Sequence, residues 1–393
     1  MHKQLLTTLF IAFALLVSAQ NDSKTNVIQL PGSNNDLNAV AVSPLKYKRM
    51  AVAGWDNTIL IYSVDTPYKL VQKLSGHTAK INKLTYNLSG NMMASASGDM
   101  TVRLWDSMYR YYPLQEDLNK RHLAAVNTVI FDKTGRFLFS GDNEGKLMLW
   151  DVNKQIPIKY YLTGNSINDM CLSPNPANVF VAHSDRQIKL ISLANGKLIR
   201  TLDGHTDVVN ALAISPNRKY LLSGSNDKTA RIWDIRTMKQ LYVLPVDCWK
   251  VTAVAISDDS KYCATGGNDG SIKVWELETG KLLSSTILEK IYIKDLSFSK
   301  DYLNLLVATK LKEGNDYGAR IVPTSIPELL KTQINEVIKS QEQMELDSIL
   351  LERTLTKEDS IQYKSILMPT SNPKNGQKST PQKPKSRPQG KKQ

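Results

Sequence analysis

Apolar and polar residues alternate along most of the chain in short runs, separated by clusters of Gly, Asn, Asp and Ser. "VNALAIS" (209–215), "KYLLSGS" (219–225), "TARIW" (229–233) and "QLYVL" (240–244) form one such series. Period-two alternation bounded by turn residues predicts short antiparallel strands. The same series returns along the chain. Aligned on an acidic turn residue, its copies place Asp56, Asp99, Glu144, Asp185, Asp227 and Asp269 at intervals of 41 to 45 residues. Six positions after each stand Tyr62, Trp105, Trp150, Ile191, Trp233 and Trp275. A seventh copy starts at Asp316, where "DYGARIVP" matches "DKTARIWD" from Asp227 and puts Val322 at the tryptophan position. A four-stranded unit cannot bury both of its faces alone, so seven units are expected to stack radially as the blades of a propeller. No fourth strand follows Val322, whereas "NVIQL" (26–30) precedes the first unit. That spare strand is expected to complete the last blade and remove a free sheet edge.

The clearest copies, "GHTDVVNALAISPNRKYLLSGSNDKTARIWD" (204–234) and "GHTAKINKLTYNLSGNMMASASGDMTVRLWD" (76–106), resemble the WD40 family. The resemblance covers about residues 26–323 and implies an all-β, seven-bladed WD40 propeller. It also implies a buried hydrogen-bonded chain inside each well-matched blade. The full set is His77, Ser95, Asp99 and Trp105 in blade 2, and His205, Ser223, Asp227 and Trp233 in blade 5. Blade 3 offers His122, Ser140 and Trp150 with Glu144 in place of Asp. Blade 6 keeps Thr265, Asp269 and Trp275, with Asp247 standing for the histidine. Blades 1, 4 and 7 lack the set and are expected to rest on apolar packing, because a half-satisfied buried polar chain is costly.

The two ends read differently from the body. Residues 1–19 carry a basic start at His2 and Lys3, an apolar run from Leu5 to Val17, and small residues before Gln20. This is the pattern of a cleaved secretory signal. The propeller is expected over residues 20–323. A helical extension is expected at 324–367, with Ser325 as N-cap and apolar residues such as Leu330, Ile334, Val337 and Ile338 at helical spacing. The formal net charge is +13, but seven basic and no acidic residues lie between Lys374 and the end, so the body is only mildly basic. The tail, 368–393, lacks the apolar area to fold and is expected to be disordered. No aromatic residue is interleaved there to stack on bases, so nucleic acid is not the expected partner. Cys171 and Cys263 read as small core residues, and Cys248 is left open for a bridge.

Candidate chemistry is sparse. The motif absorbs three of the five histidines, His2 goes with the signal, and His183 in "FVAHSDRQ" reads as a satisfied turn residue. No nucleophile elbow, phosphate loop or metal-ligand spacing appears, and "DNEGKLMLWD" lacks the later ligands of a calcium loop. No catalytic residue, cofactor or metal is expected. The inner strands "NALAIS", "TAVAIS" and "NAVAVS" read as apolar and small, which argues against a polar site in the central channel. Two of the six tryptophans, Trp55 and Trp249, are outside the motif. In WD40 propellers both positions fall on the face that commonly holds partner proteins, and Trp is enriched in interface hot spots. The expectation is a non-enzymatic scaffold with Trp55 and Trp249 as partner anchors. With the signal, it is expected to be periplasmic or outer-membrane associated, within a secretion, motility or outer-membrane assembly complex, touching the membrane only indirectly or through its tail. A polyanion binder acting through the tail and a channel enzyme or small-ligand binder are the competing classes.

Overall fold

The structure is a computed structural model that describes residues 27–32, 35–44, 46–114, 121–312 and 317–324. Residues 1–19, Asp316, the helical extension beyond Thr324 and the basic tail lie outside the described residues. Seven four-stranded antiparallel sheets make up the fold. Blade 2 is representative: Ile81–Tyr86 lies innermost, followed by Met92–Ser97, Val102–Asp106 and the outer strand Tyr111–Pro113. The last blade consists of Ile291–Phe298, Asn304–Leu311 and Arg320–Pro323, completed by Ile28–Gln29 from the N-terminal side. Ile28 pairs with Ile321 and Gln29 with Arg320, so the ring is closed by strands from both ends of the propeller.

Seven apolar clusters fill the seams between blades, and the motif tryptophan position falls in the seam rather than within its own sheet. Trp105 of blade 2 packs with Ala51 and Ile61 of blade 1. Trp150, Trp233 and Trp275 likewise join Leu104, Ile188 and Ile232 of the preceding blades. Tyr62, Ile191 and Val322 occupy the equivalent seams in blades 1, 4 and 7. In those three blades the second-strand position that elsewhere holds Ser or Thr is Val52, Val181 or Val307, each fully buried. In blades 4 and 7 the tryptophan and the hydroxyl of the polar chain are thus replaced together by apolar groups, which is close to neutral energetically, whereas in blade 1 the Tyr62 hydroxyl donates to the Pro31 carbonyl at 2.5 Å and the buried Thr58 Oγ1 has no partner.

Every inner strand carries a β-bulge near its start, between residues 37/39, 81/83, 126/128, 167/169, 209/211, 251/253 and 293/295. A bulge inserts one extra residue and re-aims its side chain. The extra residues are Asn38, Asn82, Asn127, Asn168, Asn210, Thr252 and Lys294.

Candidate functional site

Alternating strands put the turns between the second and third strands, and the connections entering each inner strand, on one face of the ring. Trp55 lies in the first kind of segment and Trp249 in the second, so topology brings both to the same face. Trp249 is 78% exposed and Trp55 48%. The Trp55 indole is flanked by two ammonium groups, Lys80 Nζ at 4.8 Å and Lys310 Nζ at 5.3 Å from the ring centroid. Each such cation–π contact contributes roughly 0.5–1 kcal/mol at an exposed site.

Beneath this face lie the polar chains, and their hydrogen-bond order follows from a donor at one end and an acceptor at the other. An indole N–H can only donate. Trp105 Nε1 donates to Ser95 Oγ at 3.0 Å, and Ser95 Oγ is 2.8 Å from His77 Nε2. The ionised Asp99 carboxylate can only accept, so the proton of the neutral histidine sits on Nδ1 for Asp99 Oδ2 at 2.7 Å, and Nε2 accepts the serine proton. Burial holds His77 below the ordinary histidine range, which matches a neutral ring. Burial alone would raise the Asp99 carboxyl, but hydrogen bonds from His77 and Thr101 outweigh it and hold the group well below the usual carboxylate range. Blade 5 repeats the geometry with Trp233, Ser223, His205 and Asp227 at 2.9, 2.7 and 2.7 Å.

Blade 3 departs from the sequence expectation. Glu144 is exposed, and the acid bonded to His122 Nδ1 at 2.7 Å is Asp142. His122 Nε2 meets Ser140 Oγ at 2.6 Å and Trp150 Nε1 donates to Ser140 at 2.8 Å, so the chain is complete with its acid displaced by two residues. Asp142 Oδ1 also accepts the backbone N–H groups of Glu144 and Lys146, holding the turn that in blades 2 and 5 is held by Asp99 and Asp227.

Blade 6 departs as well. Asp247 does not enter the histidine's place: it adopts φ of 59°, a left-handed conformation that Asp tolerates, and its outward carboxylate pairs with Lys273 at 2.7 Å. Cys248 is buried instead, and burial first, then Asp269, pushes its thiol up to about 11. Trp275 Nε1 donates to Thr265 Oγ1 at 3.1 Å, while Asp269 accepts Ser271 Oγ at 2.6 Å. All three cysteines are buried and unbridged.

His183 ends a strand rather than sitting in a turn, at the position of Ser97 and Ser225. It is fully buried; Nδ1 lies 3.1 Å from the Asn165 carbonyl, and Nε2 has no hydrogen-bond partner. Burial first, then Lys189, lowers its pKa to about 4.

The channel mouth contradicts the reading of an apolar bore. It holds a cavity of about 360 Å³ whose rim is the ring of bulge residues. Asn38, Asn82, Asn127, Asn168 and Asn210 each donate Nδ2 to a carbonyl of the next blade, those of Ile81, Val126, Ile167, Val209 and Val251, at 2.8–3.2 Å. Thr252 reaches Ile293 in the same way at 2.5 Å. The signal that could have revealed this girdle is the recurrence of Asn at one offset in five consecutive copies. On the channel wall Lys83 Nζ lies 3.3 Å from Asp295 Oδ1 and 4.0 Å from Asp169 Oδ2. Those carboxylates also accept Val40 N, Leu212 N and Thr128 Oγ1, so one ionic network ties together blades 1, 2, 3, 4, 5 and 7. Among the described residues no group of three or more His, Cys, Asp or Glu side chains is placed to hold a metal ion.

A ring of seven such blades, each seam closed by a motif side chain and each bulge stitched to its neighbour, is a rigid support for an exposed face. Comparison with known proteins assigns the class. The family described as WD domain, G-beta repeat matches residues 68–106, 116–151, 196–234 and 238–276. Three of these stretches run from one outer strand through the next blade's three inner strands, offset by one strand from the blade, while 116–151 begins beyond the outer strand Tyr111–Pro113. Four of the chain's repeats match that family, and they are carried on a seven-bladed propeller. The chain is 27% identical over 155 residues to WD repeat-containing protein 37 of Xenopus tropicalis, covering 39% of this chain and 31% of that protein. The human protein of that name is 26% identical over 155 residues, with 39% and 31% covered. The guanine nucleotide-binding protein subunit beta of Zea mays is 24% identical over 124 residues, covering 30% of this chain and 33% of that one. The alignments thus span about a third of the length of these curated relatives.

Proposed function

We propose that this propeller is a non-enzymatic scaffold that docks a protein partner on the face carrying Trp55 and Trp249. The exposure of Trp249 is the observation that carries the reading: a large apolar ring stands in solvent at a position the blade does not need for packing. Both rings stand exposed on one face of the ring, and exposed aromatics of this kind are the anchors that dominate interface energetics. That similar propellers include a protein named as a subunit supports a role within an assembly. The finer reading, an exported protein of the bacterial envelope, rests on the residue pattern of 1–19 alone.

Both parts are tested on tagged protein purified from its native cells. Wild type is expected to retain a partner that Trp249→Ala and Trp55→Ala bind at least about 1 kcal/mol more weakly, with unchanged melting temperature in Trp249→Ala. The mature chain is expected to begin at Gln20 and to fractionate with the envelope. Equal partner affinity in wild type and both variants contradicts the docking face, and a retained Met1 contradicts export.

A further inference from the structure

Six of the seven bulge residues use their side chain to bond the next blade, and the seventh does not. Lys294 stands where the pattern calls for Asn or Thr, at the seam where blade 7 meets blade 1. Among the described residues its ammonium has neither a hydrogen bond nor an ion pair. The contrast with Lys83 is direct: both lysines line the same cavity, but Lys83 is answered by Asp295 and Asp169, whereas Lys294 faces further cations. Burial first, then Lys310, Lys80 and Lys250, lowers the Lys294 pKa, with Asp36 the opposing charge. Asp36 is already engaged, by Lys310 at 3.6 Å and by the Leu311 backbone N–H at 2.9 Å. Two of these lysines, Lys80 and Lys310, are the ones that flank the Trp55 ring.

A cation drawn partly out of water without a counter-charge destabilises the fold, and an anion that enters the site relieves the cost. We propose that the channel mouth is an anion site in which Lys294, flanked by Lys80 and Lys310, receives a carboxylate side chain from an acidic segment of the docked partner. This rests on the docking face proposed above and names the chemistry of what occupies its centre. An acidic peptide fits better than a polyanion. Asp169 and Asp295 lie just inside the mouth and repel a chain of charges, while the Trp55 ring beside Lys80 and Lys310 offers an apolar neighbour to a single carboxylate.

The test uses the full chain and a fluorescein-labelled peptide of alternating glutamate and leucine, read by anisotropy at low salt. A glutamine–leucine peptide and inorganic tripolyphosphate are the other two probes. Wild type is expected to bind the acidic peptide and not the glutamine peptide. Lys294→Asn is expected to weaken that binding about tenfold, while supplying the amide the other blades use and so keeping or raising the melting temperature. Lys294→Met removes the charge at similar chain length and is expected to lose binding equally. Lys219→Asn, an exposed lysine in a turn of the opposite face, is expected to change nothing. Equal weakening by Lys219→Asn means diffuse charge attraction and overturns the site. So does a response to tripolyphosphate that depends on Lys294 when the acidic peptide gives none. Full binding by Lys294→Asn alongside weak binding by Trp249→Ala overturns the anion site but leaves the docking face standing. Full binding by both overturns both.

Discussion

Asp142→Ala is expected to destabilise the propeller by about 3 kcal/mol, and Glu144→Ala by less than about 0.5 kcal/mol. The asymmetry follows from what each carboxylate touches. Asp142 is buried against His122 and accepts two turn N–H groups, so its removal leaves the buried His122 Nδ1 and two part-buried N–H groups without that acceptor. Glu144 is exposed. At roughly 2 °C per kcal/mol for a domain of this size, the first variant melts about 6 °C lower and the second is indistinguishable from wild type by calorimetry. The double variant Asp142→Ser, Glu144→Asp rebuilds the Ser225-Asn226-Asp227 sequence of blade 5 and is expected to recover most of the loss. Equal melting points for the two single variants contradict the displaced acid.

Acid is expected to weaken the fold through His183. Its folded-state pKa, about 4, lies below the ordinary 6.5 because the ring is fully buried with one nitrogen unpartnered. A depressed histidine stays neutral in the fold while the unfolded chain takes up the proton. The stabilisation it allows is therefore complete above pH 6.5 and is lost as pH falls from 6.5 towards 4. The groups around it agree with this sign: Lys189 opposes a second positive charge, and Asp185 is already paired with Lys189 at 2.5 Å and with Asn165 at 2.8 Å. The loss amounts to about 3 kcal/mol between pH 7 and pH 4. His183→Ser places there the residue that blades 2 and 5 carry, and removes the titrating ring. Urea unfolding at the two pH values is expected to show a drop about 3 kcal/mol smaller in His183→Ser than in wild type. Identical drops contradict the assignment.

The architecture was legible because a four-strand unit repeated at a near-constant period admits few packings, and because His, Ser, Asp and Trp recur at matching offsets in blades 2 and 5. Offsets misled where the chain varied. Counting six back from Trp150 lands on Glu144, but blade 3 holds the same histidine from Asp142, and only the positions of side chains distinguish the two. The residue Asp247 occupies the histidine's place in the alignment, yet a left-handed backbone turns it outward and lets Cys248 inside. The channel was misread for a further reason. Period-two alternation treats the first Asn of "NALAIS" as one face of a regular strand, whereas a bulge makes it an extra residue turned to the next blade. Lys294 stood out only once that girdle was seen, as its one exception.

The claim on which the functional account depends is that the partner sits on the face of Trp55 and Trp249. Asp207 is exposed on that face at the place in blade 5 that Trp249 holds in blade 6, and Leu88 is exposed in a turn of the opposite face. A photo-crosslinking amino acid at position 207 or at position 88, irradiated in the native cell, tests the claim most directly. The account predicts a discrete partner adduct from position 207 and none from position 88; an adduct from position 88 alone would contradict it.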